Sequence, residues 1–201
     1  MKPHVLRLAA ALAILAGCST TSPPTHYHSL VAALPPSGAG AHALPAPSLQ
    51  VQVLPVQVPT QVNVPQLVVR NADDSLSVLE YERWIGPLSD EIRDAVALRI
   101  ERALAQEAPA PQPPADHIWR VRIDVQRFDS MLGRAASMQV QWSLRATGGG
   151  PALRCHASYE QPVAAGVTAL AAGHRALVER LGDVIGQALK ASAAGATPSC
   201  A

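Results

Sequence analysis

The chain has 201 residues, with 16 basic and 15 acidic side chains and a hydrophobic content of 48%. Because the charges nearly balance and no basic tract occurs, the composition excludes a protein that binds a run of nucleic-acid phosphates. The hydrophobic content argues against a disordered chain, and the length allows one globular domain with a real core.

The amino end has the features of an export signal. Lys2 and Arg7 provide a basic start, and an apolar run extends from Leu8 to Ala16. As a helix, this run covers about 14 Å, roughly half the hydrocarbon thickness of a bilayer, so it is too short to span a membrane. We therefore expect residues 1–17 to be a signal peptide that is removed.

The end of this segment, Leu15-Ala16-Gly17-Cys18, resembles the lipobox of bacterial lipoproteins. The resemblance implies that Cys18 becomes the first mature residue and carries covalent lipid, with no other cofactor. An ordinary secretory signal with a chance cysteine is the alternative, but such a site favours a small residue where Leu15 stands. Aspartate directly after the lipidated cysteine resembles an inner-membrane retention signal, but this chain has Ser19 there. We therefore expect the mature protein to lie on the periplasmic face of the outer membrane.

Residues 18–48 are rich in Ser, Thr, Pro, Ala and Gly and are predicted to form a flexible tether, interrupted by the patch Tyr27-His28-Ser29-Leu30. Residues 49–192 are predicted to form the globular domain, and residues 193–201 a carboxyl-terminal tail. The domain begins with an alternating run from Leu49 to Val58, whose register shifts near Pro55. This pattern predicts an edge strand with a bulge.

A short hairpin is predicted next, with strands over 65–70 and 76–80 around a turn-forming cluster at 71–74. Apolar residues then recur every four positions from Leu88 to Leu104, which predicts an amphipathic helix that ends before Pro109. Acidic residues in its first turns suit the positive end of the helix dipole.

The remaining elements are three alternating strands and a second helix. The first two strands, near 119–126 and 138–145, are predicted to pair as a long antiparallel hairpin with Trp119 and Trp142 directed into the core. A third strand covers 153–159, and helical spacing runs from Gly166 to about Ala191. Together these elements predict an α+β fold, with two amphipathic helices on one face of a largely antiparallel mixed sheet.

Two cysteines remain once Cys18 is assigned to lipid, namely Cys155 and Cys200. In an oxidising compartment we expect them to form a disulfide, which would attach the tail to the domain. The alternative is a buried free Cys155 with a frayed tail.

The block Arg83-Trp84-Ile85-Gly86-Pro87-Leu88 resembles the Arg-Trp-x-x-Pro-Leu block that opens the first helix in the paraquat-inducible protein C family of MCE-type transport lipoproteins. The Tyr27-to-Leu30 patch and the segment Val51 to Arg70 resemble that family's opening segments. In two places the sequence departs from the family pattern, at the spacer 61–64 and at Gly86. The resemblance covers nearly the whole mature chain.

The resemblance implies a noncatalytic binding and assembly subunit that supports lipid traffic or envelope integrity. The expected partners are a periplasm-spanning MCE-domain protein, the outer membrane through the lipid anchor, and further copies of this chain. Packing over the helix start is the favoured role of Trp84. The functional alternative is that Trp84, with Arg83 and the loop from Pro59 to Gln66, contacts a partner chain. The polar face of the long hairpin, including Arg120, Arg122 and Gln139, is a second candidate contact surface.

Enzymatic chemistry has little support in the sequence, and no catalytic or metal site is predicted. The nucleophile-elbow, phosphate-loop and zinc-protease motifs do not occur. His26 and His28 lie in the predicted tether without further clustered ligands, and His174 lies on an apolar helix face. Two alternatives stay open: a lipid carrier, which needs a cavity between helix and sheet, and an anchored hydrolase whose site is assembled from distant residues.

Overall fold

The computed structural model describes residues 23–32, 49–105 and 118–200. In these residues seven strands and two helices follow in the order β1 (His26–His28), β2 (Gln50–Val53), β3 (Gln66–Arg70), β4 (Leu76–Trp84), α1 (Leu88–Ala105), β5 (Ile118–Met131), β6 (Ala135–Ala146), β7 (Leu153–Pro162) and α2 (Val167–Ala193). The α+β class is confirmed, but the strands form two mixed sheets. The predicted signal peptide and Cys18 lie outside the described residues.

The larger sheet has the strand order β2-β5-β6-β7 and is built around the predicted hairpin of β5 and β6. Alternation buries Val121, Ile123 and Trp142 on the face that meets the helices. Trp119, also expected in the core, is only half-buried. A register shift between Val125 and Arg127 turns the later residues of β5, so that Phe128 points inward.

Strand β2 lies at one edge of this sheet, as Pro55 in the predicted strand over Leu49 to Val58 indicates, and pairs in parallel with β5. After Val53 the pairing is interrupted near Pro55 and resumes at Gln57, whose carbonyl accepts a hydrogen bond from the Val125 amide at 2.9 Å. The chain therefore stays beside β5 while the proline occupies a position that needs no amide donor.

The smaller sheet has the order β1-β4-β3 and contains the predicted hairpin of β3 and β4. Its turn holds Asp74 at a positive φ of 66°, a conformation that aspartate tolerates better than most residues. The other edge is β1, which pairs in parallel with β4. This strand falls inside the predicted tether of residues 18–48, so the patch at Tyr27 to Leu30 is part of the fold.

Helices α1 and α2 pack against each other and cover the larger sheet, and the space between them is filled. Ile92, Val96, Leu181 and Ile185 are completely buried. Gly182 allows the close approach, because a Cβ there would lie 2.6 Å from Cβ of Arg99. No helix in the described ranges is long and apolar enough to cross a membrane.

Cys155 on β7 and Cys200 in the tail form a disulfide across a separation of 45 residues. The alternative of a free Cys155 with a detached tail does not apply to this structure. The bond fixes the residues beyond α2, which ends at Ala193, to the face of the larger sheet. The disulfide therefore links the segment that follows α2 to β7.

Candidate functional site: a groove at the end of the smaller sheet

A groove of about 420 Å³ opens where β4 ends and α1 begins. We call it the β4–α1 groove, and its lining residues are Tyr27, Asn63, Val64, Pro65, Arg83, Trp84, Ile85, Gly86, Pro87 and Leu88. Trp84 and Leu88 are 4% and 1% exposed, whereas Tyr27 and Ile85 are 59% and 60% exposed. The groove thus has a rigid apolar floor and a solvent-facing apolar rim.

Backbone hydrogen bonds join the three segments that form the walls. The amide of Trp84 donates to the Pro65 carbonyl at 2.9 Å, and the amide of Ile85 donates to the His28 carbonyl at 2.8 Å. The amides of Asp90 and Glu91 both donate to the Pro87 carbonyl, which begins α1 at the groove. The groove is therefore preformed by the fold and does not depend on side-chain contacts alone.

The predicted contact residues have different positions relative to this groove. Trp84 is buried, and its ring meets Phe128 and His174 edge-on at centroid distances of 6.3 and 6.2 Å, so it is a packing residue that supplies the floor. Arg83 lines the groove. Pro59 and Gln66 are half-buried in and beside the neighbouring loop, outside the lining.

Tyr27 and Ile85, the most exposed apolar residues of the groove, were not among the predicted contacts. Both belong to segments on which the family resemblance rests, the tyrosine patch and the Arg-Trp-x-x-Pro-Leu block. Their place in these two segments was the sequence feature that could have identified Tyr27 and Ile85 as candidate contacts. What the sequence did not reveal is that the parallel pairing of β1 with β4 brings the two segments together.

Arg83 is the one charged residue among the lining residues. Its Nε is buried and has no hydrogen-bond partner. A buried donor without a partner costs about 1 to 3 kcal/mol, or more when it belongs to a charged group. The groove therefore combines apolar walls with one cationic side chain.

Beside the groove, two histidines of β1 meet one carboxylate of β4. His28 Nε2 lies 2.6 Å from one oxygen of Glu82, and His26 Nδ1 lies 3.0 Å from the other. Burial acts to raise the pKa of Glu82, but hydrogen bonds from His28 and His26 prevail, so that its pKa lies below the ordinary value of 4.5. Within the described residues no group of three His, Cys, Asp or Glu side chains is placed to hold a metal.

Glu91 holds the residues that follow β1. One oxygen of its buried carboxylate accepts hydrogen bonds from the Ser29 hydroxyl and the Leu30 amide, both at 2.8 Å. From the other side Arg175 donates to the Ser29 carbonyl at 2.8 Å. Leu30 is completely buried as a result, so the amino-terminal segment is anchored by both helices.

Ser130 and His174 form a buried pair that resembles part of a hydrolytic site, with the hydroxyl oxygen 2.7 Å from Nε2. Burial lowers the pKa of His174 to about 3, although the nearby charge of Asp129 acts to raise it. Nδ1 of this histidine has no hydrogen-bond partner, and the carboxylate of the nearby Asp129 binds Arg70 and Arg127. A serine nucleophile needs an oriented histidine and access to substrate, and this pair is buried under Trp84 and Phe128.

The second candidate surface is the solvent-facing side of β5 and β6. Arg120 and Arg122 are exposed there, and Gln139 is half-buried. These residues do not approach the β4–α1 groove lining. The structure thus separates the two surfaces that the sequence proposed as contact sites.

Comparison with known proteins bears on family and fold. A model of the family described as ABC-type transport auxiliary lipoprotein component matches residues 30–186. A crystal structure of an uncharacterized protein aligns over 83% of this chain and 99% of its own, with 15% identity and a TM-score of 0.64. Protein XCC0632 from Xanthomonas campestris, described as DUF330, aligns over 85% and 98%, with 20% identity and a TM-score of 0.62.

At these identities the solved structures establish the fold alone, and no curated protein matches the chain. The family match, however, covers most of the sequence and includes six of the seven strands, helix α1 and most of helix α2. It contains every lining residue of the groove except Tyr27. It confirms the family expected from the Arg83-to-Leu88 block. The chain belongs to the family of ABC-type transport auxiliary lipoprotein components.

Proposed function

We propose that this protein is the outer-membrane lipoprotein subunit of an MCE-type intermembrane lipid transport system. In this role it catalyses no reaction and instead links a periplasm-spanning MCE-domain protein to the outer membrane. The observation that carries the proposal is the β4–α1 groove, whose exposed apolar rim is built from two segments on which the family resemblance rests. Family membership supports a transport role.

Anchorage is assigned to lipid on Cys18, because several acyl chains on one residue hold a protein on a membrane almost permanently. Residues 19–25 separate Cys18 from β1. The Cα atoms of Cys18 and His26 are therefore at most about 29 Å apart even if the chain is fully extended. Because Tyr27 belongs to β1, the groove is kept close to the anchoring leaflet. We assign the protein to the outer membrane because Ser19, and not aspartate, follows Cys18.

The partner is assigned to the rim formed by Tyr27 and Ile85 together with Arg83 and the loop from Pro59 to Gln66. Covering a large exposed apolar side chain stabilises a complex by roughly 1.5 to 3 kcal/mol when burial is complete. Two such residues beside a fixed groove are enough to form the centre of a small interface. Trp84 contributes indirectly by holding the floor in place.

Self-association is assigned to the other surface. The polar side of β5 and β6 carries Arg120 and Arg122, and β7 is an edge strand of the same sheet. Strand addition and side-chain contacts at such an edge are a common mode of association. Copies joined there would keep every groove free for the MCE partner.

Two other functions have weaker support. A lipid carrier that holds an acyl chain between helices and sheet needs a cavity there, but the side chains at that position are fully buried and packed. A hydrolase needs an accessible nucleophile, and Ser130 is 4% exposed beneath aromatic rings. Neither reading uses the exposed rim.

The test is affinity capture of the intact lipoprotein from detergent-solubilised envelopes, with mass spectrometry of the captured membrane proteins. We expect an MCE-domain protein with the native chain, and about a tenfold lower recovery with Ile85→Asp, as for a central contact residue. The matched control is Leu132→Asp, because Leu132 is exposed in the turn between β5 and β6 and lies outside the groove. Equal recovery with both variants would assign the partner to another surface, and failure to recover an MCE-domain protein would contradict the proposal.

A further inference from the structure

The β4–α1 groove has a second property besides its apolar rim. Its lining contains one charged residue, Arg83, and one other polar side chain, Asn63. The remaining lining residues are apolar, glycine or tyrosine. A ligand that fits such a groove is apolar along most of its length and carries one negative group.

This composition favours a lipid over a peptide segment. A peptide buried in the groove would bring an N–H and a C=O at every residue, and each needs a hydrogen-bond partner once water is removed. The groove offers few side-chain partners, whereas an acyl chain needs none. The guanidinium of Arg83, the one cationic group among the lining residues, would pair with a phosphate oxygen.

The position of the groove leads to the same conclusion. Tyr27 lies on the wall, and seven residues separate β1 from Cys18, so a lipid anchor keeps the groove within a few nanometres of the leaflet. We propose that the β4–α1 groove binds one phospholipid of that leaflet, with an acyl chain over Trp84 and Leu88 and the phosphate at Arg83.

This inference rests on the proposed function and adds its substrate class. A partner that docks on the rim formed by Tyr27 and Ile85 would cover the groove, so that lipid passes between the two proteins without crossing water. The groove volume of about 420 Å³ lies within the range of small-molecule sites. Because the groove is open along one side, it suits a lipid that enters and leaves.

The experiment uses the intact lipoprotein in vesicles of phosphatidylethanolamine and phosphatidylglycerol that contain a phosphatidylglycerol with a photoreactive acyl chain. After irradiation, we expect lipid adducts on the groove residues Val64, Trp84 or Leu88. Val64→Trp fills the groove and should remove most of these adducts. Its matched control is Ala97→Trp, which fills a separate groove of about 300 Å³ between β2 and α1.

Arg83→Gln should lower the adduct yield about tenfold, as expected when one charge-assisted hydrogen bond is lost, and Arg83→Lys should retain part of it. Thermal unfolding of each variant identifies any that fails to fold. Adducts that are equally frequent in Val64→Trp and Ala97→Trp, or that are absent from the native groove, overturn the proposal. Capture of the MCE-domain protein from the same preparations then shows whether the lipid site alone fails or the proposed function fails as well.

Discussion

The two sheets of the molecule differ in how much of their apolar surface they bury. The larger sheet and the two helices enclose theirs, with Ile123, Leu181 and Ile185 completely buried. In the smaller sheet, the central residues of β3 are buried, but other positions are exposed. Of the six large apolar residues exposed in the described chain, five lie on β1, on β4 or directly after β4, namely Tyr27, Leu76, Val78, Tyr81 and Ile85. The larger region therefore encloses most of its apolar residues, whereas β1 and β4 present an apolar surface.

The two regions are also held in place by different interactions. The larger region is held by packing and by the disulfide, whereas the short β1 is held by pairing with β4, by the buried Leu30 and by the carboxylates of Glu82 and Glu91. Packing is distributed over many residues, but a carboxylate concentrates its hydrogen bonds in one group. Single substitutions should therefore detach the amino-terminal segment without unfolding the larger region.

The largest expected effect is on the larger region and comes from the disulfide. Its closed loop of 45 residues predicts that Cys200→Ser lowers the free energy of unfolding by about 4 kcal/mol in the chain-entropy model. Urea denaturation followed by circular dichroism measures this loss. As a control, reductant should lower the free energy of unfolding of the native chain by the same amount and leave that of the variant unchanged. A loss below about 1 kcal/mol in the variant would contradict the predicted stabilisation by the disulfide.

The next effect is local and separates the two regions. Glu91→Ala removes the acceptor of the Ser29 and Leu30 hydrogen bonds and should weaken docking of this segment by roughly 2 to 3 kcal/mol. Hydrogen exchange should accelerate at residues 26–31 while β5 and β6 keep their protection. Glu101→Ala, exposed on the same helix, is the control. Equal acceleration in both sheets would mean that the regions unfold as one unit.

The larger region was the more predictable from sequence, because its signals are local. Alternation in β5 and β6 and four-residue recurrence in α1 were enough to place these elements. The division into two sheets was not predictable, since it depends on parallel pairing of β1 with β4 across more than fifty residues and on only three to four residues in each of β1 and β2. The register shift before Arg127 was missed for a similar reason, because a bulge interrupts the alternation.

The Arg83-to-Leu88 block lies at the candidate groove, but the sequence did not define the exposure of each residue. Trp84, for which the sequence favoured packing, is buried in the floor, whereas Ile85, next to it, is exposed. The sequence explains Glu91 as one of the acidic residues that suit a helix start. In the structure its carboxylate also accepts a hydrogen bond from the Leu30 amide. Exposure and long-range hydrogen bonds depend on which segments meet, and residue spacing within one segment does not contain that information.

The smallest of these effects concerns the junction of the two regions, where His174 of α2 stacks on Phe128 at 4.0 Å and meets Trp84 edge-on. Because burial lowers its pKa from 6.5 to about 3, the folded chain keeps this ring neutral while the unfolded chain binds a proton. The contribution is therefore complete above pH 6.5 and is lost as the pH falls towards 3. Between pH 7 and pH 5 the free energy of unfolding should fall by about 2 kcal/mol.

Urea denaturation at a series of pH values measures this slope, and His174→Gln should flatten it whatever its effect on stability at pH 7. The double variant His26→Gln and His28→Gln is the control, since it removes two histidines of the smaller sheet and should keep the slope. Glu82 does not interfere, because its pKa lies below 4.5 and it stays ionised throughout this range. If the double variant rather than His174→Gln removed the slope, acid sensitivity would belong to the docked amino-terminal strand, and the smaller sheet would be the region that responds to pH.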